Sequence, residues 1–467
     1  MRRRILLLSA ALLACSPTSS PAVPPGDRDV IVQLFQWNWA SVARECRDFL
    51  GPRGFGGVQV SPPQEHVVVP GRPWYQDYQP VSYQIDATRR GDRAAFVNMV
   101  NTCHTAGVKI YVDAVINHMT GQPGPATGSA GSSYTQYNYP GIYQTQDFHH
   151  CGRNGNDDIV NYNDRFEVQN CELVNLADLD TGSNYVRGKV KPYLQDLQSL
   201  GVDGFRIDAA KHMPAADIGA MKVGYVYQEV IFGAGEPITP EEYTGNGDVL
   251  EFRYGEDLAK IFNREKLAYL RTFGSPLPSN QAIVFTDNHD TQRGKPVLTF
   301  RDNARYALAN AFMLAWTYGT PKLMSSYEFS TFEQGPPSDA SGRTNDSTCF
   351  SGGWRCEHRW QVIANMVAFH NAVRGTPVTH WWDNGNDTIA FARGDKGYLI
   401  VNDESFAVTG RSFQTSLPTG VYCDVIHGDF TSGRCSGPTY TVDSNGWFRA
   451  DAAAQDAIAL HVNAKVS

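Results

Sequence analysis

A chain of 467 residues is too long to form one compact core, so we expect two or three domains. Charged residues make up 19% and aromatic residues 12% of the sequence, which is typical of a folded globular protein and not of a disordered one. The formal net charge is −8 and no basic cluster follows residue 4, which argues against a nucleic-acid partner. The many aromatic residues suit a protein that stacks against flat apolar faces, such as those of sugar rings.

The first fifteen residues predict an export signal. Arg2–Arg4 form a positive segment, and the apolar run 5–14 is too short to span a bilayer. The run ends in Leu-Leu-Ala followed by Cys15, which resembles a bacterial lipoprotein signal with an acylated Cys. We favour this anchor, and ordinary secretion is the alternative. After a Pro- and Ser-rich linker, 16–28, we expect an exported bacterial protein, secreted or lipid-anchored at the cell surface.

From Asp29 onward, strand patterns alternate with helix patterns, which predicts a parallel sheet. Eight strands are predicted, so we expect an α/β fold that closes as a (β/α)8 TIM barrel. The first helix should stop at Gly51-Pro52. The predicted strands are 30–35, 57–63, 109–118, 202–208, 224–230, 248–252, 282–288 and 322–327, and the predicted helices include 39–50, 93–106, 183–200 and 360–373.

Two segments interrupt or follow the barrel pattern. The segment after strand three is rich in Gly, Asn, Tyr and Asp and is too long for a connecting loop, so it predicts an inserted subdomain. After Gly375, short strands and turns predict an all-β domain, a Greek-key sandwich. The predicted organisation is a signal at 1–15, a linker at 16–28, the barrel at 29–118 and 179–375, the inserted subdomain at 119–178 and the sandwich at 376–467.

Ionisable side chains gather at or just past the carboxyl ends of the predicted strands, where (β/α)8 enzymes place their chemistry. Like charges crowded in a cleft raise a pKa, which keeps one acid protonated at neutral pH. Two carboxylates on neighbouring strands can stand about 5–5.5 Å apart, the separation found in retaining glycosidases. The carboxylates are Asp208, Glu229 and Asp290, and the histidines are His118 and His289.

Cysteine usage agrees with export. Setting Cys15 aside leaves eight cysteines, an even number. No Cys-x-x-Cys motif occurs, so neither a zinc site nor a redox motif is indicated. Cys349 and Cys356, and likewise Cys423 and Cys435, are close enough in sequence to close small loops. The remaining four are Cys46, Cys103, Cys151 and Cys171.

Four motifs occur in order on the predicted strands: DAVINH at 113–118, GFRIDAAKH at 204–212, QEV at 228–230 and FTDNHD at 285–290. They resemble the motifs of α-amylases of glycoside hydrolase family thirteen. Segments 292–294, 324–327, 356–360 and 422–426 are similar to the chloride-dependent, animal-type branch, which also occurs in bacteria. The resemblance runs from about Val30 to the C-terminus.

The resemblance implies endo-acting hydrolysis of α-1,4-glucosidic bonds in starch, glycogen and malto-oligosaccharides by a retaining mechanism. Asp208 resembles the nucleophile, Glu229 the general acid/base, and Asp290 the carboxylate that stabilises the transition state. His118 and His289 resemble donors to sugar hydroxyls. The other implied substrate-binding residues are Trp74, Tyr75, Tyr78 and Gln79 in the stacking platform, and Lys211 and His212 on the leaving-group side.

The resemblance also implies a structural Ca²⁺ between the barrel and the inserted subdomain. Its ligands would be Asn117, Asp178 and the backbone carbonyls of Gln169 and His212, all hard oxygen donors.

An activating Cl⁻ is implied at Arg206, Asn288 and Lys322. An Arg inside a buried strand is costly unless an anion meets it. The alternative is that Arg206 and Lys322 simply pair with barrel carboxylates. The resemblance also pairs the cysteines as Cys46–Cys103, Cys151–Cys171, Cys349–Cys356 and Cys423–Cys435.

Two departures from the family pattern stand out. Glu229 follows Asp208 by 21 residues, which predicts a short fourth helix, and the chain runs from Gly294 directly to Lys295 without a Gly-rich loop. Two other functions stay open: a relative with transglycosylating or maltose-forming specificity, and a catalytically silent carbohydrate-binding protein. A barrel metalloenzyme does not fit, because no His/carboxylate cluster has zinc-like spacing. We expect a monomer.

Overall fold

The computed structural model describes residues 28–467; the predicted export signal with Cys15, and the linker up to residue 27, lie outside the described residues. Eight parallel strands form a closed barrel, as predicted. The strands end earlier than predicted, because the polar residues that follow them belong to loops. The strands are β1 Ile31–Leu34, β2 Gly57–Val60, β3 Lys109–Ala114, β4 Gly204–Ile207, β5 Tyr225–Gln228, β6 Asp248–Leu250, β7 Ala282–Val284 and β8 Thr320–Ser325.

Helices connect the barrel strands along the chain, apart from α4, which lies in the inserted segment. The first helical segment continues through Gly51-Pro52 to Arg53, contrary to the predicted stop, because Pro is tolerated at the first positions of a helix turn. It ends at Gly54, whose φ of 84° suits glycine. The α-helices are α1 Trp39–Glu45, α2 Gly51–Arg53, α3 Arg93–Thr105, α4 Arg165–Asn170, α5 Asn184–Ser199, α6 Ala215–Met221, α7 Phe252–Arg264, α8 Ala304–Ala315 and α9 Gln361–Val373. The short α6, between Asp208 and Glu229, agrees with the reduced spacing in the sequence.

A segment with little regular structure separates β3 from α5. It contains a two-stranded ladder, Ala126–Thr127 with Ser133–Tyr134, and the short helix α4. A bridge between His118 and Asp178 joins the points where the chain leaves and re-enters the barrel. We retain 119–178 as the proposed extent of the inserted subdomain.

The C-terminal part is all-β, as predicted. β9, β10, β11 and β18 form a four-stranded antiparallel sheet in that order, and the other strands pair as β12 with β17, β13 with β16, and β14 with β15. Several of these strands were not predicted, because they are short or largely exposed. The strands are β9 Val378–Asp383, β10 Thr388–Arg393, β11 Gly397–Asn402, β12 Val408–Gln414, β13 Gly420–Cys423, β14 Phe430–Thr431, β15 Arg434–Cys435, β16 Thr439–Val442, β17 Trp447–Ala452 and β18 Asp456–His461.

Within residues 28–467, four disulfides connect the eight cysteines in the pairs that the resemblance implied. They are Cys46–Cys103, Cys151–Cys171, Cys349–Cys356 and Cys423–Cys435. Across residues 28–467, none of the helices has both the length and the apolar character needed to cross a membrane.

Candidate functional site

The loops at the carboxyl ends of the barrel strands surround a cavity of about 790 Å³, here called the main cleft. All three predicted catalytic carboxylates line it, and so do all eight predicted substrate-binding residues. The carboxylates are Asp208, Glu229 and Asp290, and the others are Trp74, Tyr75, Tyr78, Gln79, His118, Lys211, His212 and His289.

A buried guanidinium organises the carboxylates. Arg206 in β4 is 1% exposed, and its Nη1 lies 2.7 Å from Oδ1 of Asp113 at the end of β3. The same guanidinium contacts Asp208, and its Nη2 lies 2.5 Å from Oε1 of Glu229. We call these four residues the Arg206 cluster. A buried Arg needs an anionic partner, and Arg206 has three carboxylates around it. Its positive charge is therefore more than neutralised.

The excess of carboxylates makes protonation near neutral pH accessible. Burial raises the pKa of Asp290 to about 7, and the charge of Glu229 adds to the shift. Burial also raises the pKa of Asp208 well above that of an ordinary Asp, while Arg206 opposes the rise. The pKa of Asp113 is raised by burial as well, again against Arg206. The site can therefore hold a proton while other carboxylates stay ionised, as general acid catalysis requires.

Aromatic side chains form one wall of the main cleft. The turn Trp74–Tyr78 is a short 3-10 helix, and Trp74 Nε1 donates to the carbonyl of Phe332 at 2.8 Å. The ring of Tyr78 stacks on His289 with the centroids 5.2 Å apart, and its hydroxyl donates to Asp113 Oδ2 at 2.8 Å. Trp74 and Tyr78 are mostly buried yet keep a surface on the cleft, so they combine packing with an exposed stacking edge.

Two of the three histidines that line the cleft, His118 and His289, are neutral at neutral pH. Burial lowers the pKa of His118 to about 4 and lowers that of His289 well below its ordinary value. Lys322 Nζ donates to Gln33 Oε1 at 3.0 Å, which orients the Gln33 amide so that its Nε2 donates to His289 Nδ1, also at 3.0 Å. The proton of His289 therefore lies on Nε2, 3.2 Å from Asp290 Oδ2.

The opposite wall contains residues that the sequence did not reveal. Lys211 contacts Glu236 and donates to the carbonyl of Ile231 at 2.8 Å, and its Nζ lies 5.4 Å from the centre of the Tyr162 ring. Tyr162, Ile231 and Glu236 lie on loops or in the inserted segment, outside the motifs and the periodic patterns of the sequence. The lining residues that were not predicted are Tyr162, Leu173, Val174, Leu176, Ala209, Ile231, Phe232, Gly233, Glu236, Lys295 and Phe332.

The predicted calcium ligands lie where the inserted segment joins the barrel. Asn117 Nδ2 lies 3.3 Å from Asp178 Oδ1, and within residues 28–467 the buried Asn117 Oδ1 has no hydrogen-bond partner. Val168 O lies 3.1 Å from His212 Nδ1, which brings the end of α4, with Gln169, beside His212. In the same residues, no group of three or more His, Cys, Asp or Glu side chains is suited to a metal. The predicted ligands are all oxygen donors, as Ca²⁺ prefers. Three of the four are amide or carbonyl oxygens, and the fourth is the Asp178 carboxylate.

The three predicted chloride ligands lie in the barrel interior. The alternative to a chloride site was that Arg206 and Lys322 both pair with barrel carboxylates. Arg206 does so, whereas Lys322 donates to the neutral Gln33 amide. Burial lowers the pKa of Lys322 to about 7, and the charge of Arg206 lowers it further. Asn288 Oδ1 accepts from the N–H groups of Asp290 and Thr291, so its amide nitrogen is the atom that could donate to an anion.

Two family descriptions match the chain. Residues 54–229 match the family described as Alpha amylase, catalytic domain. Residues 380–463 match Alpha amylase, C-terminal all-beta domain.

Similar proteins occur in bacteria and animals. The sequence is 52% identical to an α-amylase of Streptomyces violaceus, over 98% of this chain and 78% of that protein. It is 45% identical to an α-amylase of Tenebrio molitor, over 94% and 98%. The crystal structure of α-amylase I from Eisenia fetida superimposes with a TM-score of 0.89 at 42% identity, covering 95% of this chain and 99% of that one. A Glu-to-Gln mutant of the Eisenia fetida enzyme, solved as a complex with maltohexaose, matches equally well, at 42% identity and a TM-score of 0.89.

Proposed function

The chain belongs to the α-amylase family of glycoside hydrolases, and on that premise we propose that it cleaves internal α-1,4-glucosidic bonds of starch, glycogen and malto-oligosaccharides with retention of configuration. The single observation that carries the proposal is the group of three carboxylates, Asp208, Glu229 and Asp290, facing one cleft beside Arg206. The maltohexaose bound to the related Eisenia fetida mutant supports the substrate class.

The proposed reaction has two displacement steps. Asp208 attacks the anomeric carbon while Glu229 gives its proton to the departing glycosidic oxygen, so the acetal bond breaks as a glycosyl ester forms. Water then attacks the same anomeric carbon while Glu229 takes a proton from the water, so the bond to the Asp208 oxygen breaks and the carboxylate is released. Arg206 contacts Asp208 and Glu229, so its charge favours the ionised Asp208 that attack requires.

The remaining cleft residues would position the sugar at the reacting bond. Asp290 would accept hydrogen bonds from sugar hydroxyls and stabilise the positive charge of the transition state. His289, which is neutral, would donate through its Nε2–H, and His118, also neutral, would donate a ring N–H in exchange for its hydrogen bond to the carbonyl of Tyr78. Trp74, Tyr75 and Tyr78, with Gln79 beside them, would form the stacking wall, and Lys211 and His212 would contact the leaving group.

Calcium is proposed as a structural ion at Asn117, Asp178 and the carbonyls of Gln169 and His212. The unpartnered Asn117 Oδ1 within the described residues and the buried Asp178 carboxylate support it. A bound cation would neutralise that carboxylate and fix the inserted segment against the loop of His212, which also carries Lys211. Chelation by EGTA should therefore lower the melting temperature, and restored Ca²⁺ should recover it.

Chloride is proposed as an activator at Arg206, Asn288 and Lys322. Two buried cations near one another, one of them a Lys with a lowered pKa, favour the uptake of an anion. Export, and anchoring through acylated Cys15, are proposals as well. Intact-mass analysis of the membrane fraction tests the anchor, because an unmodified N-terminus after Cys15 would contradict it.

The test of the function is starch hydrolysis by the purified protein. We expect loss of iodine staining ahead of a large rise in reducing ends, which is typical of internal cleavage, with a product of α-configuration. Chromatography of the products separates this from the transglycosylating or maltose-forming alternative. Absence of hydrolysis, with retained oligosaccharide binding, would instead support the catalytically silent carbohydrate-binding protein.

A further inference from the structure

The ring of His289, in the main cleft, is held in one orientation. The residue is 2% exposed, and the rings of Phe35 and Tyr78 stack on it with centroids 4.8 and 5.2 Å away. Trp74 meets the ring edge-on at 5.4 Å. The backbone is fixed as well, because Arg293 Nη1 donates to the carbonyl of His289 at 2.6 Å. Since the ring plane is set, the chemistry of His289 depends on which of its two nitrogens carry protons.

The partner of His289 Nδ1 is the buried side chain of Gln33 in β1. A charged Lys has only N–H donors, so the Gln33 atom 3.0 Å from Lys322 Nζ is the amide oxygen. The other end of the amide is then the NH2 group, which can only donate, and it lies 3.0 Å from His289 Nδ1. Because Nδ1 accepts this hydrogen bond, it carries no proton.

The other ring nitrogen has a partner of the opposite kind. His289 Nε2 lies 3.2 Å from Oδ2 of Asp290, and a carboxylate oxygen accepts. A donor at one nitrogen and an acceptor at the other match a neutral imidazole with its proton on Nε2. The surrounding charges act in the same sense, because burial lowers the pKa of His289 and the cations Arg206, Lys322 and Arg293 lower it further.

A second histidine of this chain shows the effect of a carboxylate at each nitrogen. His427 Nδ1 lies 2.6 Å from Asp424, and its Nε2 lies 3.0 Å from Asp456. Hydrogen bonds to these two carboxylates raise the pKa of His427 to about 10. His427 and His289 differ in exposure and in the partner of Nδ1, and a single substitution can change the second of these.

We propose that Gln33 is a positioning residue that keeps His289 neutral, with its single proton on Nε2. The inference rests on the proposed function and deepens it. Nε2–H can donate to a sugar hydroxyl, while no further positive charge is placed beside the oxocarbenium-like transition state. Gln suits this position because an amide accepts from Lys322 and donates to His289 at the same time. A carboxylate cannot donate, and an apolar side chain can do neither.

The test replaces Gln33 by Glu, which has the same shape and places a carboxylate at His289 Nδ1. Lys322 keeps an acceptor in this variant, so we expect it to fold. NMR of protein labelled in the histidine ring nitrogens separates protonated from bare nitrogens, and His289→Gln identifies the signals of His289. Measurement at pH 6 keeps Lys322 charged, since burial lowers its pKa only to about 7.

We expect His289 Nδ1 to be bare in the wild type and protonated in Gln33→Glu, where the ring becomes more like that of His427. A protonated Nδ1 in the wild type, or a bare Nδ1 in Gln33→Glu, would overturn the proposal.

Gln64→Glu is the matched control, because it adds a carboxylate at another buried Gln. Gln64 Nε2 donates to the carbonyl of Asp77, and Gln64 Oε1 accepts from the hydroxyl of Tyr193. His289 Nδ1 should stay bare in this variant. A protonated Nδ1 would show that any added buried carboxylate has the same effect, and the assignment to Gln33 would then be wrong.

Kinetics on soluble starch connect the proton to the reaction. Gln33→Glu either removes the Nε2 proton or adds a charge to His289, and both act on the transition state. We therefore expect kcat to fall about 10- to 100-fold, while KM changes less than about threefold. Gln33→Met makes neither hydrogen bond and should lower kcat about three- to tenfold, the value of a hydrogen bond. It decides the question if Gln33→Glu does not fold, because wild-type kcat in folded Gln33→Met would overturn the proposal.

The two measurements separate failure of this proposal from failure of the proposed function. The NMR measurement needs no substrate, so it decides on the proton of His289 even in a protein that does not hydrolyse starch. Absence of hydrolysis by the wild type would contradict the proposed function. A protonated Nδ1 in Gln33→Glu together with wild-type kcat would leave the proposed function intact and overturn the role of Gln33 in the reaction.

Discussion

Two buried ion clusters in this protein differ in their charge balance. The Arg206 cluster sets one cation against three carboxylates at the wall of a cavity. The Glu45 cluster, between α1 and the segment before α9, sets one carboxylate against His358 and Arg359, with contacts of 2.8 and 2.5 Å, and it does not line the main cleft.

The difference appears in the pKa values. Burial raises the pKa of Asp208 well above its ordinary value, and Arg206 does not compensate fully. Burial also raises the pKa of Glu45, but the hydrogen bonds from His358 and Arg359 outweigh that effect and bring it down to about 2. Fully compensated charge stabilises a fold, whereas uncompensated charge beside a cavity is available for chemistry.

Substitutions in the uncompensated cluster should give the largest effect. Asp208→Asn cannot form the glycosyl ester and Glu229→Gln cannot donate the proton, so kcat on starch should fall by roughly 10²–10⁴-fold or more. Melting temperatures should stay close to the wild type. Asp395→Asn, an exposed Asp in the C-terminal domain, is the control and should keep full activity. Activity near the wild-type level in either cleft variant would contradict the assignment.

The opposite result is expected for the compensated cluster. Glu45→Gln leaves Arg359 without its carboxylate partner and His358 without a charged acceptor. It should lower the free energy of unfolding by roughly 3 kcal/mol, the lower end for a broken buried pair, because Arg359 is 30% exposed. The kcat of the folded enzyme should not change. Urea denaturation measures the loss, and Asp48→Asn, at an exposed neighbouring pair, should leave the melting temperature unchanged. A Glu45→Gln variant with unchanged stability and lost activity would contradict the claim that the Glu45 cluster stabilises the fold and takes no part in catalysis.

The barrel could be predicted from the sequence for physical reasons, and so could the meeting of the three carboxylates in one cleft, whereas the stacking residues came only from the family resemblance. Buried strands appear as apolar runs, and the carboxyl ends of parallel strands meet at one edge, so Asp208, Glu229 and Asp290 had to converge. Loop residues such as Glu236 and Phe332 reach the cleft only through the path of the chain, which no local pattern encodes. The helical continuation through Gly51-Pro52 was missed because Pro can begin a turn as well as end one.

Chloride should act on the charge balance of the Arg206 cluster. Without the anion, the positive charges of Arg206 and Lys322 act unopposed on the carboxylates of the cluster, and activity should fall at a lower pH. Adding Cl⁻ to dialysed enzyme should therefore raise activity at pH 7 severalfold and move the alkaline limb of the pH–activity profile to higher pH. Affinity should be modest, because Lys cannot clamp an anion with a planar fork. The activity of Lys322→Gln should be less dependent on Cl⁻. An alkaline limb of the pH–activity profile that does not move at any Cl⁻ concentration would contradict the proposal.

A third cluster sharpens the comparison and should show the smallest effect. His427 bridges Asp424 and Asp456, and hydrogen bonds to these carboxylates raise its pKa to about 10. Since the folded pKa lies above the ordinary 6.5, this stabilisation is complete below pH 6.5 and is lost as pH rises through 10. His427→Gln should thus lower the melting temperature more at pH 6 than at pH 10.5, and only slightly, because the side chain is 38% exposed. The exposed His380→Gln serves as control; equal effects of His427→Gln at both pH values would contradict this account.

The most direct test of the central claim is to trap the covalent intermediate. In Glu229→Gln, an α-maltosyl fluoride needs no acid to release its leaving group, so Asp208 can be glycosylated while hydrolysis of the ester is slow without the base. Mass spectrometry of the quenched protein should find one maltosyl unit, and peptide mapping should place it on Asp208. An adduct on another residue, or turnover of the fluoride with no adduct and an inverted product, would contradict the claim that Asp208 is the nucleophile of a retaining enzyme.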